Sequence, residues 1–514
     1  MSKVNRHNRD WTILKTAGRG CLVGVVVGAG VSLFRWLIEW LLGTTRQIYA
    51  HLSLTSVGFW LWVAVMIGLA VIIGRWMKQE PMAKGSGIPQ VEGQLAGDFD
   101  YAWWPVLWRK FVGGILAIGS GLYLGREGPS IQLGATAAQG LAEAGHLHGA
   151  DRRIMIASGA AAGLSAAFNA PIAGTLFILE EVYHNFSPAV WLSSLTGAVT
   201  ADYISKVVFG LQPVLYIKLT RSLPQSQYFL LLLLGIGLGL LGVLYQWVIL
   251  RVGYWYSLLQ FLPRYLDGIV PFLLVIPIGL TLPLTLGGGN EMIITFAQHV
   301  PGLVPLMGYF LLRFVFSMIS YGSGLPGGIF LPILTLGALL GAIAGRIFIG
   351  LGWLSPNMAA NMMVYAMAGY FAGISKAPFT AILLITEMVG TLQHLLPLAM
   401  VAIVAYLTVD VCGGQPIYDA LLKQMQFPTV KSLHGPLDRF EFPLFEGAAM
   451  TEHMIRDLNW PKDAILAAVR RGDRYLIPHG DTVIKGGDTL VVVTGVRQRQ
   501  RVTEDLIRLT KQFN

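Results

Sequence analysis

Charged side chains are scarce in this sequence. Asp, Glu, Lys and Arg make up 13% of the 514 residues, 54% are hydrophobic, and the mean hydropathy is +0.59. Soluble domains carry about a quarter charged residues, so the composition excludes an ordinary set of soluble domains and predicts a polytopic membrane protein. In such a protein a net charge of +9 reports basic loops and tails, and it does not support nucleic-acid binding.

Cysteine is almost absent as well. Cys21 and Cys412 stand in apolar stretches without metal-ligand spacing, so both are interpreted as packing residues and no metal site is expected. The sequence lacks a phosphate-binding loop and a nucleophile-and-base pair in a soluble segment, which argues against an enzyme and against a cofactor. Glycine and proline are plentiful, with 61 and 25 residues, and they predict membrane helices that are broken or closely packed.

The hydropathy pattern divides the chain into four parts. Basic residues precede the first apolar run, so residues 1–20 are interpreted as a cytosolic N-terminal segment. Residues 21–423 form a membrane domain in which several apolar stretches are shorter than the ~20 residues of a full span, which favours half-helices. Residues 424–439 are interpreted as a linker. Short alternating strands and a closing helix then predict a small soluble α+β domain at 440–514.

The two halves of the membrane region share a pattern. AGLSAAFNAP (162–171) with LFILE (176–180) is echoed by AGISKAP (372–378) with LLITE (383–387). Upstream of each copy lies a glycine-rich break that ends in proline. Such repeats are typical of transporters built from two halves of inverted topology, with the substrate site between them. We therefore predict repeats at about 21–210 and 225–412.

Three glycine–proline breaks stand beside apolar runs: GSGIP (85–89), GREGP (125–129) and GIFLP (328–332). Proline in a first turn with glycine nearby describes a helix start with unpaired N–H groups, and such an end carries about +0.5 charge. Several of these ends together inside a membrane would bind an anion and still release it. For any single motif, a helix kink or a packing glycine is the simpler alternative.

In this order and separation the three motifs resemble the signatures of the CLC family of chloride channels and transporters, over about residues 20–420. GGGN (287–290) and PIY (416–418) fit the same pattern. The resemblance implies an all-α polytopic membrane domain, an inverted repeat of tilted and broken helices, which assembles as a homodimer with a separate pore in each subunit. It also implies chloride as the main ion, with bromide and nitrate passing too.

The same resemblance assigns a central chloride site. Ser86 and Tyr418 would bind the ion through their hydroxyl groups, and the main-chain N–H groups of Ile329 and Phe330 would complete the site. Without the resemblance, Ser86 would be interpreted as a helix cap and Tyr418 as an interfacial anchor. A serine at position 86 also bears on selectivity, because nitrate-preferring members tend to carry proline there.

An outer site would take main-chain N–H groups from Arg126, Glu127 and Gly128, with the arginine side chain pairing elsewhere. A carboxylate at an amide-rich helix start is favoured in its charged form, so Glu127 would compete with the anion for the same donors and leave when protonated. The resemblance implies that this residue is the gate. Lys110 resembles a buried lysine that raises the local potential for anions; the alternative is a side chain that reaches the membrane surface beside Arg109.

An acidic pair, Glu180 and Glu181, ends the first copy of the repeated segment. Glu180 has the repeat partner Glu387, which argues for a structural role at a helix end in both halves, whereas Glu181 is matched by Met388. Glu181, the second glutamate of the pair, resembles the residue that transfers protons on the internal side in the exchangers of the family. This favours a proton-coupled chloride exchanger over a passive chloride channel.

Residues 440–513 resemble the TrkA C-terminal (RCK-C) domain rather than the paired cystathionine-synthase-type domains that often follow CLC membrane domains. The resemblance implies a dimerising regulatory module that senses a small molecule; a docking domain without a ligand remains the alternative. A cation transporter regulated by such a domain is a remote third function, because no TVGYG-like filter occurs. We expect a multi-pass protein of a bacterial-type inner or plasma membrane, with cytosolic N- and C-termini.

Overall fold

The computed structural model describes residues 6–217, 219, 222–258, 262–425, 437–461, 463–472, 474–495 and 498–511. The chain divides into two compact units, Met1–Met425 and Gln426–Asn514. This division falls next to the end of the membrane domain expected from the sequence. Most of the predicted linker at 424–439 lies outside the described residues.

The first half of the membrane unit contains eight of the described helices. They are α1 (Arg6–His51), α2 (Val57–Gln79), α3 (Ile88–Ala96), α4 (Trp103–Gly119), α5 (Glu127–Ala144), α6 (Gly149–Phe168), α7 (Pro171–Phe177) and α8 (Pro188–Phe209). A π-helical turn, Ile178–Val182, directly follows α7. The first helix continues without a break through residue 20, so the N-terminal segment expected from the sequence is partly helical.

The second half repeats this order among the described residues. It contains α9 (Phe229–Ser257), α10 (Ile269–Thr281), α11 (Asn290–Gln298), α12 (Leu303–Gly322), α13 (Phe330–Gly350), α14 (Ala359–Ser375), α15 (Pro378–Val389) and α16 (Leu395–Val411), and α17 (Ile417–Gln424) follows. Helices α3 and α11 occupy the same place in each half, and both have nine residues. The inverted repeat of broken helices is confirmed.

Six helical stretches in the described residues are long and apolar enough to cross a membrane. They are Ile13–His51, Val57–Gln79, Gln225–Ser257, Arg264–Thr281, Leu303–Gly322 and Phe330–Gly350. Helices α15 and α16 are apolar but shorter, with 12 and 17 residues. A full span needs about 20 residues, so the short helices must be partial spans.

The breaks within each half follow from local chemistry. Helices α6 and α14 end at Asn169 and Lys376, whose φ angles of 55° and 59° are left-handed and stop a helix. Pro171 and Pro378 then occupy the first turn of α7 and α15, where a missing N–H costs nothing. Each repeated NAP or KAP sequence therefore divides one long apolar run into two helices.

Glycine lets the helices of each half approach closely. A Cβ atom at Gly134 on α5 would lie 2.0 Å from the carbonyl oxygen of Gly159 on α6, and one at Gly341 on α13 would lie 2.3 Å from that of Met362 on α14. No side chain fits at these crossings, so the helices pack main chain to main chain, as small residues allow in membranes.

The second unit is a small α+β domain. Its described strands are β1 (Leu437–Pro443), β2 (Ala464–Arg471), β3 (Arg474–Leu476) and β4 (Thr489–Gly495), which form an antiparallel sheet in the order β1-β4-β2-β3. Helix α18 (Arg499–Lys511) closes the unit, and its Val502 and Leu506 join the core with Leu490 and Val492. The strands expected from the sequence at 464–469, 475–477 and 489–493 correspond to β2, β3 and β4, and the closing helix is present as well, whereas β1 was not predicted.

Candidate anion-binding site

The starts of helices α5 and α13 meet inside the membrane unit. Gly125 and Gly328, the first glycines of GREGP and GIFLP, form an antiparallel bridge in which each N–H donates to the other's carbonyl at 2.7 Å. The GSGIP segment reaches the same point, because a Cβ atom at Gly128 would lie 2.2 Å from Ser86 Oγ. All three predicted motifs are therefore in contact, although up to 247 residues separate them along the chain.

Two buried hydroxyl groups mark the centre of this region. Ser86 is 1% exposed and Tyr418 is fully buried, yet neither hydroxyl has a hydrogen-bond partner among the residues that the structure describes. The Tyr418 ring packs edge-on against Phe177, which in turn contacts Phe330 at the start of α13. A buried donor without an acceptor is costly, so this arrangement fits a ligand that accepts hydrogen bonds.

Main-chain donors lie at the start of α13. Ile329 and Phe330 occupy the cap and the first position of α13, where N–H groups have no acceptor within their own helix. Four donors from three segments, with no charged side chain among them, can hold a small anion without binding it irreversibly.

Glu127 begins α5 and is fully buried. Its carboxylate lies beside its own N–H and that of Leu331, but neither oxygen has a well-formed hydrogen bond to the described residues. Arg126 Nε is 3.9 Å away, and Nη1 of the same arginine donates instead to Glu39 at 2.6 Å. Glu39 also accepts from Arg35. The arginine side chain is thus held by another carboxylate, while Glu127 lies among main-chain donors.

An open cleft of about 300 Å³ lies beside Arg126. Arg46 and Glu291 form an ion pair across it, and Glu39 lines the same space. The cleft gives water and ions a route towards the start of α5.

Lys110 is fully buried and does not reach the membrane surface. Its Nζ donates to the carbonyl oxygens of Ala83, Lys84 and Gly85 at 3.0, 3.2 and 2.8 Å. The sequence left two alternatives for Lys110, a buried side chain and one that reaches the membrane surface, and the structure shows the buried side chain. The ammonium group satisfies three carbonyls and places a positive charge directly behind Ser86.

Glu181 lies in the π-helical turn after α7 and is 4% exposed. Among the described residues, three carboxylates interact electrostatically with it, those of Glu92, Glu180 and Asp419. Tyr418 interacts electrostatically with both Glu181 and Glu127, the two carboxylates that the sequence singled out. Glu92 was missed by sequence reasoning; the available signal was a charged residue in a short segment between two glycine breaks.

Glu180 and Glu387 each cap the start of a helix in the opposite repeat. Glu180 accepts from the N–H groups of Phe379 and Thr380 at 3.2 and 2.8 Å, and Glu387 accepts from those of Ile172 and Ala173 at 3.2 and 2.8 Å. Each carboxylate therefore satisfies the first N–H groups of a helix in the other repeat, a favourable place for negative charge. This pairing separates the structural Glu180 from its neighbour Glu181.

Comparison with known proteins agrees with this geometry. The family model described as "Voltage gated chloride channel" matches residues 63–410, and the TrkA-C domain model matches 440–506. A relative named H(+)/Cl(-) exchange transporter ClcA from Yersinia pseudotuberculosis serotype IB (strain PB1/+) is 32% identical over 433 residues, which cover 81% of this chain and 88% of the relative. A protein with the same name from Salmonella typhimurium (strain LT2) is 32% identical over 456 residues, covering 84% and 94%.

Solved structures show the same membrane fold. A slow cyanobacterial Cl⁻/H⁺ antiporter has a TM-score of 0.75 and 30% identity, covering 80% of this chain and 97% of that one. A eukaryotic CLC transporter has a TM-score of 0.69 at 22% identity, which shows the fold alone, over 86% of this chain and 79% of that one. The chain therefore belongs to the voltage-gated chloride channel (CLC) family and carries a TrkA-C domain after its membrane unit.

Proposed function

We propose that the protein exchanges chloride for protons across a membrane, with Glu127 as the outer gate and Glu181 as the internal proton-transfer residue. The observation that carries the proposal is a pair of buried hydroxyls, those of Ser86 and Tyr418, that have no hydrogen-bond partner in the described chain, together with the buried carboxylates of Glu127 and Glu181. The relatives named as H(+)/Cl(-) exchange transporters support the same function.

In the proposed cycle chloride occupies a central site formed by the hydroxyls of Ser86 and Tyr418 and the N–H groups of Ile329 and Phe330. The ionised gate, Glu127, competes with a second anion for an outer site.

That outer site consists of the N–H groups of Arg126, Glu127 and Gly128. Protonation removes the attraction of the Glu127 carboxylate for these donors, so the side chain leaves and the anion takes its place. Each proton that Glu127 gains or loses is thereby linked to the movement of an anion.

The donors also define the substrate class. Hydroxyl and main-chain N–H groups recognise negative charge and size rather than chemical identity, so bromide and nitrate should be transported along with chloride. Lys110 supplies a fixed positive potential behind Ser86 without touching the ion.

Glu181 favours an exchanger over a passive channel. A buried carboxylate inside a membrane is costly and calls for a function. In the described chain the charged groups that interact with Glu181 are other carboxylates, and it forms no ion pair with a basic side chain. A channel needs no proton acceptor at this place. A cation transporter would need converging carbonyl oxygens, whereas the described site presents N–H and O–H donors.

The test is transport by purified protein in liposomes, with chloride release and internal pH recorded together. A chloride gradient should drive protons uphill in the wild type, and Glu181→Val should abolish proton movement while some chloride flux remains. The same substitution at the exposed Glu143 is the control. Chloride flux that moves no protons in the wild type would identify a channel, and coupled flux in a folded Glu181→Val protein would remove Glu181 from the pathway.

We further propose that the protein is a homodimer in a bacterial-type inner membrane, with both termini in the cytosol and a small-molecule effector for the C-terminal unit. The basic residues before the first apolar run support the orientation. The match to the TrkA-C domain supports a regulatory role for residues 440–506.

A further inference from the structure

Beside Ser86 the described surface opens at four residues, which we call the GSGIP mouth: Lys84, Gly85, Tyr321 and Gly324. Lys84 is exposed and the other three are half-buried, whereas Ser86 next to them is 1% exposed. Solvent thus reaches the main chain directly before the buried serine. An ion that reached Ser86 from this side would meet these residues.

Tyr321 forms one wall of the mouth. It lies in the last turn of α12, and its hydroxyl would be 3.7 Å from a Cβ atom at Gly85. It is also within electrostatic range of the buried Tyr418. The Tyr321 hydroxyl therefore lies close to the chain segment that presents Ser86.

The Tyr321 hydroxyl is free to bind a ligand. Within the described part of the chain it forms no hydrogen bond. The neighbouring Tyr256 differs, because its hydroxyl donates to the carbonyl of Ile319 on α12 at 2.6 Å. One tyrosine thus has a structural partner and the other does not.

The charges around the mouth favour an anion. The Lys84 side chain lies beside Gly324, because a Cβ atom at Gly324 would be 3.9 Å from Cδ of Lys84. Arg264 and Asp267 are within electrostatic range of Lys84, so the cations at the rim outnumber the carboxylate. Lys110 adds a positive charge behind the Gly85 carbonyl. A small anion is therefore attracted to the point where Tyr321 presents its hydroxyl.

We propose that the Tyr321 hydroxyl donates a hydrogen bond to the transported anion as it passes between the GSGIP mouth and the central site. Tyr321 is then an anion ligand in addition to Ser86 and Tyr418. The inference rests on the proposed function, because it needs an anion that traverses this mouth. Its chemical class is chloride or another small monovalent anion.

The test compares wild type, Tyr321→Phe and Tyr256→Phe. The first variant deletes only the free hydroxyl, and the second deletes a bonded hydroxyl nearby as a matched control. Chloride binding to the purified full-length protein is measured by calorimetry, and liposome transport is measured against chloride concentration. We expect Tyr321→Phe to raise both the Kd and the half-saturating chloride concentration about three- to tenfold. This is the effect expected when a partly hydrated ion loses one hydrogen bond. The maximal rate should be unchanged.

The outcomes separate this inference from the proposed function. If wild type exchanges chloride for protons but Tyr321→Phe binds and transports chloride as wild type does, the inference is overturned and the function stands. An equal shift in Tyr256→Phe, or a lower maximal rate without a change in binding, would also overturn it, because packing would then be the cause. If the wild type moves no chloride, the proposed function fails first.

Discussion

Buried polar groups in the membrane unit differ in whether the fold supplies their hydrogen-bond partners. Arg313 is fully buried, but it donates to the carbonyls of Thr285, Gly287 and Gly288 and stacks on Tyr123 at 4.1 Å. The fold itself thus satisfies both terminal nitrogens of this guanidinium, although its Nε has no partner in the described chain. Ser86 and Tyr418 have no such partners in the described chain. Leaving a buried donor unpaired costs about 1–3 kcal/mol, a cost that binding of an anion would offset.

At Glu127 a change of one atom tests the gate. Glu127→Gln keeps the size of the side chain but makes it permanently neutral and unable to bind or release a proton. It therefore imitates a gate that is always protonated. We expect chloride flux to persist and coupled proton movement to disappear in the liposome assay. Glu291→Gln, which alters the carboxylate on the other side of the outer cleft, should retain coupling. Proton pumping by Glu127→Gln protein would show that another group gates the site.

At the scale of helices, the reciprocal caps join the two repeats. Glu180 is 200 residues from Thr380 in sequence, and Glu387 is 214 from Ala173, but each carboxylate accepts two N–H bonds from a helix start. Glu180 also accepts from the Thr380 hydroxyl at 2.7 Å. These bonds hold α7 and α15 side by side and keep Glu181 on the neighbouring face of its turn.

Removal of one cap should weaken the membrane unit without changing its chemistry. We expect Glu387→Ala to lower the free energy of unfolding by about 1–2 kcal/mol, the usual loss for a helix cap, measured as thermal stability of the detergent-solubilised protein. Proton coupling should remain in the folded fraction. A variant with wild-type stability but no coupling would mean that Glu387 belongs to the proton pathway and not to the caps.

In the C-terminal unit one ion pair fastens the turn before β4. Asp488 accepts from Arg471 Nε and Nη2 at 2.8 and 2.7 Å and from the N–H of Lys485 at 2.8 Å. Burial alone would raise the pKa of Asp488, but the hydrogen bonds from Arg471 and Lys485 outweigh it and hold the pKa below its ordinary value.

This carboxylate should make the unit acid-sensitive. A depressed pKa in the folded state stabilises the fold above the unfolded-state value of about 4, and the contribution is lost as the pH falls through the folded value. Hydrogen-exchange protection of β2 and β4, corrected for intrinsic rates, should therefore decrease below about pH 4. Asp488→Asn should lower protection at pH 7 and lose this pH step, whereas Asp438→Asn, at the more exposed pair with Arg499, should keep it. An unchanged step in Asp488→Asn would assign it to another group.

The whole molecule consists of two units with separate cores. The residues of the proposed anion and proton site all lie in the membrane unit, and the sheet domain has its own hydrophobic cluster.

Deletion of residues 440–514 should therefore leave a folded, transporting protein. We expect the same dimer by light scattering in detergent and wild-type proton coupling in liposomes, with any response to a cytosolic small molecule lost. If the truncated protein becomes monomeric, the C-terminal unit holds the dimer together rather than regulating it.

The sequence by itself determined the features that depend on composition and on short segments. The scarcity of charged residues predicted a membrane protein. The repeated NAP and KAP sequences predicted where helices break, and the glycine–proline motifs predicted helix starts with free N–H groups. These predictions succeed because local main-chain preferences act over a few residues. In the C-terminal unit the same reasoning missed β1, which is a strand only because it pairs with β4.

Only the tertiary structure decided which of these segments meet. The bridge between Gly125 and Gly328, the caps on opposite repeats and the choice of carbonyls for Lys110 join residues that are distant in sequence. In the sequence, Tyr321 stands at the end of an apolar helix and has no visible function. Only the fold shows that it lies against Gly85. The physical reason is that packing selects contacts by shape and by the need to satisfy buried polar groups, and neither is encoded in a short stretch of sequence.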